Sequence, residues 1–227
     1  MEQVINKLNL TKEQSDKFKI YYEFLVSENE KYNLTSITNI DEVYIKHFYD
    51  SSCALLYFDL TNKSLCDIGS GAGFPGIPLK ILNPSIKLTI IEPTLKRVNF
   101  LKELCNRLEI NDVNIICDRA ESAISSFREA FDFVTARAVS NLRVLLELTI
   151  PYVSVKGSFI AYKGSNYLDE VNEAKGALKK LNSKVANTYM YNLLNDLGER
   201  VIIEIKKEKS CDLIYPRDYA KIKKKPL

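Results

Sequence analysis

Residues 67 to 76 read Asp67-Ile68-Gly69-Ser70-Gly71-Ala72-Gly73-Phe74-Pro75-Gly76. The apolar run before them, Leu65–Ile68, has the character of a buried strand, and Pro75–Leu82 that of a helix. At such a strand-to-helix turn, glycines let the backbone take left-handed angles and approach a ligand closely. Pro75 and Pro78 are tolerated because the first turn of a helix has no intrahelical N–H bonds to lose. Two patterns overlap here. Gly71, Gly73 and Gly76 spell G-x-G-x-x-G, and Asp67, Gly69, Gly71 and Gly73 spell D-x-G-x-G-x-G.

Outward from the loop, β-rich runs alternate with helical patterns. Strands are expected at Leu65–Ile68, Lys87–Glu92, Val113–Cys117, Phe131–Ala136 and Ser158–Tyr162, with helices near Pro75–Leu82, Leu95–Leu108 and Asn141–Val153. This alternation implies βαβ units and a mostly parallel sheet with helices on both faces. After a helix near Asp169–Leu181, strands at Lys184–Leu193 and Arg200–Lys207 follow each other across a short turn, which suits an antiparallel pair at the sheet edge. Upstream, Thr11 and Gln14 fit a capping box for a helix over residues 11 to 32, with Phe18, Tyr21, Tyr22 and Leu25 at helical spacing. A second helix is expected from Asn39 or Asp41 to about Phe58. The division that follows is an N-terminal helical region, residues 1–60, and an α/β domain over residues 61–227 with a basic tail.

Acids recur at three successive strand ends. Asp67 precedes the loop, Glu92 ends the second strand, and Asp118-Arg119-Ala120-Glu121 follows the third. Open α/β sheets bind ligands at these ends. A diphosphate on the loop would be repelled by Asp67, whereas a methionine ammonium would be welcomed by it. Glu92 can accept from both ribose hydroxyls of adenosine. A backbone N–H near Ala120 can read adenine N1, Glu121 can accept from the exocyclic amine, and Phe74 can pack on the ligand. These features favour a Rossmann-like class I methyltransferase using S-adenosyl-L-methionine over an NAD-dependent oxidoreductase, which Gly71, Gly73, Gly76 and Glu92 alone support.

The composition is that of a globular protein. The chain has 227 residues, 46% hydrophobic and 27% charged, with net charge +3. No apolar run approaches the roughly 20 residues needed to span a bilayer, so no membrane partner and a cytoplasmic location are expected. Five cysteines without a C-x-x-C pair argue against a disulfide scaffold or zinc ribbon. Cys66, Cys105 and Cys117 read as small core residues. With one histidine, His47, no metal site is expected.

Taken together, the segments resemble the bacterial 16S rRNA (guanine-N7)-methyltransferases, the RsmG or GidB family. The resemblance runs through Asn33-Leu34-Thr35-Ser36, His47-Phe48-Tyr49-Asp50-Ser51, Asp67 to Leu79, Lys96-Arg97 with Phe100-Leu101, and Arg119-Ala120-Glu121. It continues through Ala136-Arg137-Ala138-Val139, Lys163-Gly164, Gly198-Glu199-Arg200 and Tyr215-Pro216-Arg217. It implies methylation of N7 of guanine 527 in 16S rRNA, with cofactor contacts at Gly69, Phe74, Ala120, Glu121 and Arg137. Two departures stand out: Asp118 replaces a glycine common in the family, and the tail Asp218 to Lys225 lacks its Ala-Gly-x-Pro step.

Guanine N7 carries an exposed lone pair, so no proton must leave before it attacks. Arg and Lys are the natural donors to the neighbouring O6. Arg137, just past the fourth strand, and Lys163, after the fifth, are therefore the expected catalytic donors, and for Arg137 a structural ion pair is the competing assignment. Phosphate contacts are expected from Lys96, Arg97, Arg200, Arg217, Lys221, Lys223, Lys224 and Lys225, with Arg119 and Arg143 as further candidates. Tyr215 and Tyr219 offer stacking surfaces beside the tail lysines. His47 is expected to order the N-terminal helices. The expected partner is 16S rRNA, the small subunit or its assembly intermediate, bound by a monomer. A methyltransferase acting on another RNA, a protein or a small molecule remains open, as does an RNA-binding factor without catalysis.

Overall fold

The computed structural model describes residues 1–227. In chain order the helices and strands begin with α1 (Glu2–Lys7), α2 (Lys12–Tyr32), α3 (Ile40–Val43) and α4 (Asp50–Ser52). Next come β1 (Ser64–Ile68), α5 (Gly76–Leu82), β2 (Lys87–Ile91), α6 (Leu95–Arg107), β3 (Val113–Ile116) and α7 (Ala120–Phe127). Then follow β4 (Phe131–Arg137), α8 (Leu142–Thr149), β5 (Val153–Lys163), α9 (Tyr167–Glu173) and α10 (Lys175–Lys180). The chain closes with β6 (Ser183–Asn192), β7 (Glu199–Lys207) and α11 (Tyr219–Lys224).

The seven strands form one sheet in the order β3-β2-β1-β4-β5-β7-β6. β1 to β5 run parallel, and β7 is antiparallel to both β5 and β6. The strand order reverses between β1 and β4, which is where open α/β sheets present their ligand crevice. Alternate residues along each strand feed opposite faces. Leu65, Ile90, Ile160 and Ile202 join a core under α2, α5 and α6. Cys66, Ile91, Phe159, Ala161 and Ile203 join a second core under α7, α8 and α10. The N-terminal helices have no core of their own, since Phe18, Tyr21, Leu25 and Phe48 belong to the first of these clusters.

Local chemistry explains most boundaries. The Thr11–Gln14 capping box is formed in both directions, and Asn33 ends α2 at φ 49°. Asn39 caps α3 through Asp41 and Glu42 N–H groups. The expected helix to Phe58 is not uniform: Tyr44–Tyr49 is a π-helical turn and Cys53–Leu56 a 3₁₀ turn. The wider π turn is of a kind frequently found at functional sites.

Several expectations are corrected. α7 fills the β3–β4 crossover where no helix was expected, because Ala120–Phe127 carries few large apolar residues. The helix expected to reach Val153 stops at Thr149, and β5 starts at Val153 rather than Ser158. The helix expected at Asp169–Leu181 is two, α9 and α10, divided at Ala174. The antiparallel pair expected at the sheet edge is present, with β7 paired to β5 and β6 outermost. Cys66 and Cys105 are core, whereas Cys117 is exposed, one residue beyond the end of edge strand β3.

Candidate active site

The loop after β1 has the geometry that its glycines demand. Gly71 (φ +61°) donates its N–H to Glu92 Oε2 at 3.0 Å, and a Cβ built on it would meet nothing within 4 Å, so its Cα faces open space. Gly73 (φ +103°) has the opposite constraint, since a Cβ there would fall 2.6 Å from Tyr21 Oη. Tyr21 belongs to α2 and donates its hydroxyl to Ala72 O, so the N-terminal layer holds the loop from behind. Gly69 N–H donates to Ile91 O at 2.8 Å and ties the loop to β2.

Asp67 is completely buried. Its Oδ2 accepts from Ser70 Oγ and from Gly76 N–H at 2.9 Å, and its Oδ1 has no partner. Burial pushes its carboxyl up to about 6, against the pull of the Ser70 and Gly76 bonds and of Arg137. A buried acceptor left unpaired is costly and needs an explanation. Glu92 is 1% exposed and accepts from Gly71 N–H and Thr94 N–H, with Arg97 Nη1 3.7 Å from Oε1.

At the third strand end, Ala120 opens α7, where its N–H has no intrahelical acceptor, and its carbonyl accepts from Tyr152 Oη. Glu121 Oε1 accepts from Arg119 Nε. The structure thus places Asp67, Gly69, Gly71, Gly73, Glu92, Ala120 and Glu121 at three neighbouring strand ends.

Phe74 packs between the loop and the N-terminal layer. Its ring stacks on His47 (centroids 4.6 Å apart) and Tyr21 (5.5 Å), and the Arg137 guanidinium lies 5.0 Å from its centroid. Phe74 is 7% exposed and serves as the floor beneath Arg137.

Beside the glycine loop, a cleft of about 640 Å³ opens between the N-terminal helices and the ends of β4 and β5. Lys46, His47 and Asp50 line one wall, Arg137 to Asn141 the base, and Tyr162, Lys163, Gly164, Glu170 and Arg200 the other. Asp50, 4% exposed, is its hub. Oδ2 accepts from Arg137 Nη1 at 2.7 Å, and Oδ1 accepts from Tyr191 Oη at 2.7 Å with Arg200 Nε at 3.9 Å. Burial, followed by the Asp50 charge, pushes the Tyr191 hydroxyl far above its usual range, so it stays a donor.

Arg137 also donates to Lys46 O at 2.9 Å and lies 3.3 Å from His47 Nδ1. The same Nδ1 lies 3.2 Å from the Lys46 carbonyl, and Nε2 lies 2.9 Å from Thr35 Oγ1. Burial and then the Arg137 charge hold His47 down at about 3, so the ring is neutral at physiological pH. The expected catalytic donor Arg137 is therefore in the cleft and in a structural ion pair at once. Lys163 Nζ donates to Ser140 O at 2.9 Å and Glu170 Oε2 at 2.6 Å.

The basic residues divide. Lys96 and the tail's Lys221, Lys223, Lys224 and Lys225 are exposed. Arg97 leans toward Glu92, and Arg200 lines the cleft. Arg217 has a structural engagement instead: Nε and Nη2 grip both oxygens of Glu147, a fully buried acid, at 2.7 and 2.6 Å. Arg143 holds the carbonyls of Pro226 and Leu227, and Arg119 lies over the Tyr219 ring at 4.6 Å. Tyr215 is buried in the second core, which removes it as a stacking surface. Asp50, Lys46, Tyr191 and Glu170 were not singled out from the sequence. An acid inside the apolar helical run Tyr44 to Leu56 was the available signal for Asp50.

Comparison with known proteins agrees with this geometry. Residues 14–197 match the family described as GidB, rRNA small subunit methyltransferase G. The ribosomal RNA small subunit methyltransferase G of Staphylococcus aureus strain Newman is 45% identical over 224 residues, covering 98% of this chain and 94% of the relative. Among solved structures, M. jannaschii TYW2 in complex with AdoMet aligns with a TM-score of 0.58 at 16% identity, over 72% of this chain and 76% of that one. An Aquifex aeolicus SAM-dependent methyltransferase aligns with a TM-score of 0.57 at 17% identity, over 80% and 98%. At those identities the likeness establishes the class I methyltransferase fold alone. The family match and the curated relative go further, and the chain belongs to the rRNA small subunit methyltransferase G family.

Proposed function

We propose that this protein transfers a methyl group from S-adenosyl-L-methionine to N7 of guanine 527 in 16S rRNA. The observation that carries this reading is the state of the cleft beside the glycine loop. Four cations, Lys46, Arg137, Lys163 and Arg200, line it. Of its acids, Asp50 pairs with Arg137 and Arg200 and Glu170 with Lys163, and His47 is held neutral. Such a cleft suits an anionic polymer and a nucleophile that needs no deprotonation.

The residues present fit the cofactor. The unpaired, buried Asp67 Oδ1 is a ready acceptor close to the loop, the space over Gly71 would admit a ligand, and Glu92 is a buried acid at the next strand end. Asp67, Gly69, Gly71, Gly73, Glu92, Ala120 and Glu121 would hold the group, which supplies a methyl on a positively charged sulfur. Transfer to a ring nitrogen is an in-line displacement, in which alignment alone is worth up to about 7–11 kcal/mol in the most favourable intramolecular cases. The chain's part is accordingly positional. Arg137, fixed by Asp50, Lys46 O and Phe74, presents donors toward O6 beside the target nitrogen. Arg200 and the exposed Lys96 and tail lysines meet phosphates. The substrate is 16S rRNA, by itself or within the small subunit or its assembly intermediate, the site of action the cytoplasm, and the acting species a monomer.

Mapping 16S rRNA by mass spectrometry in cells with and without the protein tests this. Loss of one 7-methylguanosine at position 527, restored by the wild-type chain and not by Gly71→Asp, is the expected result. An unchanged modification pattern overturns it.

A further inference from the structure

Within the cleft, one charged acceptor is only half engaged. Glu170, on α9, accepts with Oε2 alone, from Lys163 Nζ and from Leu142 N–H, both at 2.6 Å. Its Oε1 has no hydrogen-bond donor, and the side chain lines the cleft at 27% exposure. Asp50 offers no such atom, because Arg137 and Tyr191 engage both of its oxygens. The cleft therefore has one face of cationic donors and a single anionic acceptor, held in place through its other oxygen by a lysine and a helix N-terminus.

That polarity matches the edges of one base. Guanine has acceptors at N7 and O6 and hydrogen donors at N1 and N2. Adenine has no N1–H and carries an amine where guanine has O6, so it would meet donors with a donor and leave the carboxylate unmatched. We propose that Glu170 is the residue that selects guanine, its Oε1 accepting from the N2 amine with N1–H beside it, while Arg137 faces O6. This rests on the reading that the cleft takes the target base out of the RNA, as enzymes acting on a base edge do. A site built to hydrogen-bond a group rejects an analogue lacking it, because the buried partner is then left unpaired. Glu170 is thus a specificity residue for the reaction, with Lys163 as its positioning partner rather than a donor to the base.

The test compares small subunits reconstituted with 16S rRNA carrying guanosine or inosine at position 527. Inosine keeps N7, O6 and N1–H and lacks only the N2 amine. For the wild type, kcat/KM on guanosine should exceed that on inosine by roughly tenfold, within the range for base-edge contacts. Glu170→Gln should lose most of its guanosine rate and show a ratio near one. A Glu170→Gln protein that binds S-adenosylhomocysteine as the wild type does separates base selection from folding. Should that variant not fold, Glu170→Asp, which keeps the charge and withdraws the oxygen by one methylene, should also lower the ratio. A wild-type ratio near one, or a full ratio retained in the substituted protein, overturns the assignment. Wild-type failure on guanosine itself would instead overturn the proposed function.

Discussion

Replacing Asp50 with alanine tests whether the Arg137 site is a built pair. The carboxylate is 6% exposed and the Arg137 side chain 12% exposed, with 2.7 Å between them. Removing one partner of a buried pair leaves the other charge uncompensated and costs about 3–5 kcal/mol. Arg137 keeps its bond to Lys46 O and borders the open cleft, which favours the lower figure. Tyr191 Oη loses its acceptor as well. At about 3 kcal/mol, a chain of this size should melt roughly 6–12 °C lower. Urea unfolding of the wild type, Asp50→Ala, Arg137→Met and the double variant closes a thermodynamic cycle, whose coupling energy should be about 2 kcal/mol or more. Asp50→Asn retains an acceptor and should fall between wild type and alanine. Stability of Asp50→Ala within about 1 kcal/mol of wild type would refute the argument, because surface pairs are worth no more than that.

Gly71→Asp should abolish methyl incorporation and S-adenosylhomocysteine binding by calorimetry, since it drives a carboxylate into the open space at φ +61°, next to Glu92; retained binding would show that the space is not the ligand's. His47 titrates near 3 in the native state against 6.5 when free, so native stability should fall as pH drops below about 6.5, by roughly 2 kcal/mol at pH 5. His47→Gln should lack that component in urea unfolding at pH 7.5 and 5. Arg217→Met strands the fully buried Glu147 and should destabilise by about 3–5 kcal/mol, whereas changing Lys221, Lys223, Lys224 and Lys225 to Gln should leave urea unfolding within about 0.5 kcal/mol. The lysine variant should instead weaken binding to small subunits and flatten its dependence on salt.

The glycine loop and β1 to β4 were legible in the sequence because their signals are local. A run such as Leu88-Thr89-Ile90-Ile91 declares a strand by its own residues, and consecutive glycines declare a turn. The Asp50 hub was not legible, since its partners Arg137 and Tyr191 lie 87 and 141 residues away. Long-range pairs leave no periodic trace. The same holds for Arg217, whose type suggested phosphate and whose fold gives it Glu147, 70 residues upstream. α7 was hidden because AESAISSF is rich in small residues and carries few of the large apolar ones that reveal a helix face.

The division between what was local and what was not follows the division of labour in the site. The loop with Asp67, Gly71 and Glu92 lies at the strand ends, and solved methyltransferases at 16–17% identity align with this chain over 72–80% of its length. The 45% identical relative covers 98%. The N-terminal helices supply Tyr21 behind Gly73, His47 over Phe74 and Asp50 under Arg137. They brace the generic loop and build one wall of the cleft, and the π-turn at Tyr44–Tyr49 immediately precedes Asp50 and carries Lys46 and His47. A buried carboxylate there is stable only with Arg137 beside it, and Arg137 keeps its orientation only while those helices are docked. Residues 1–60 are therefore structurally part of the cleft, and their packing against the sheet sets where the Arg137 guanidinium stands.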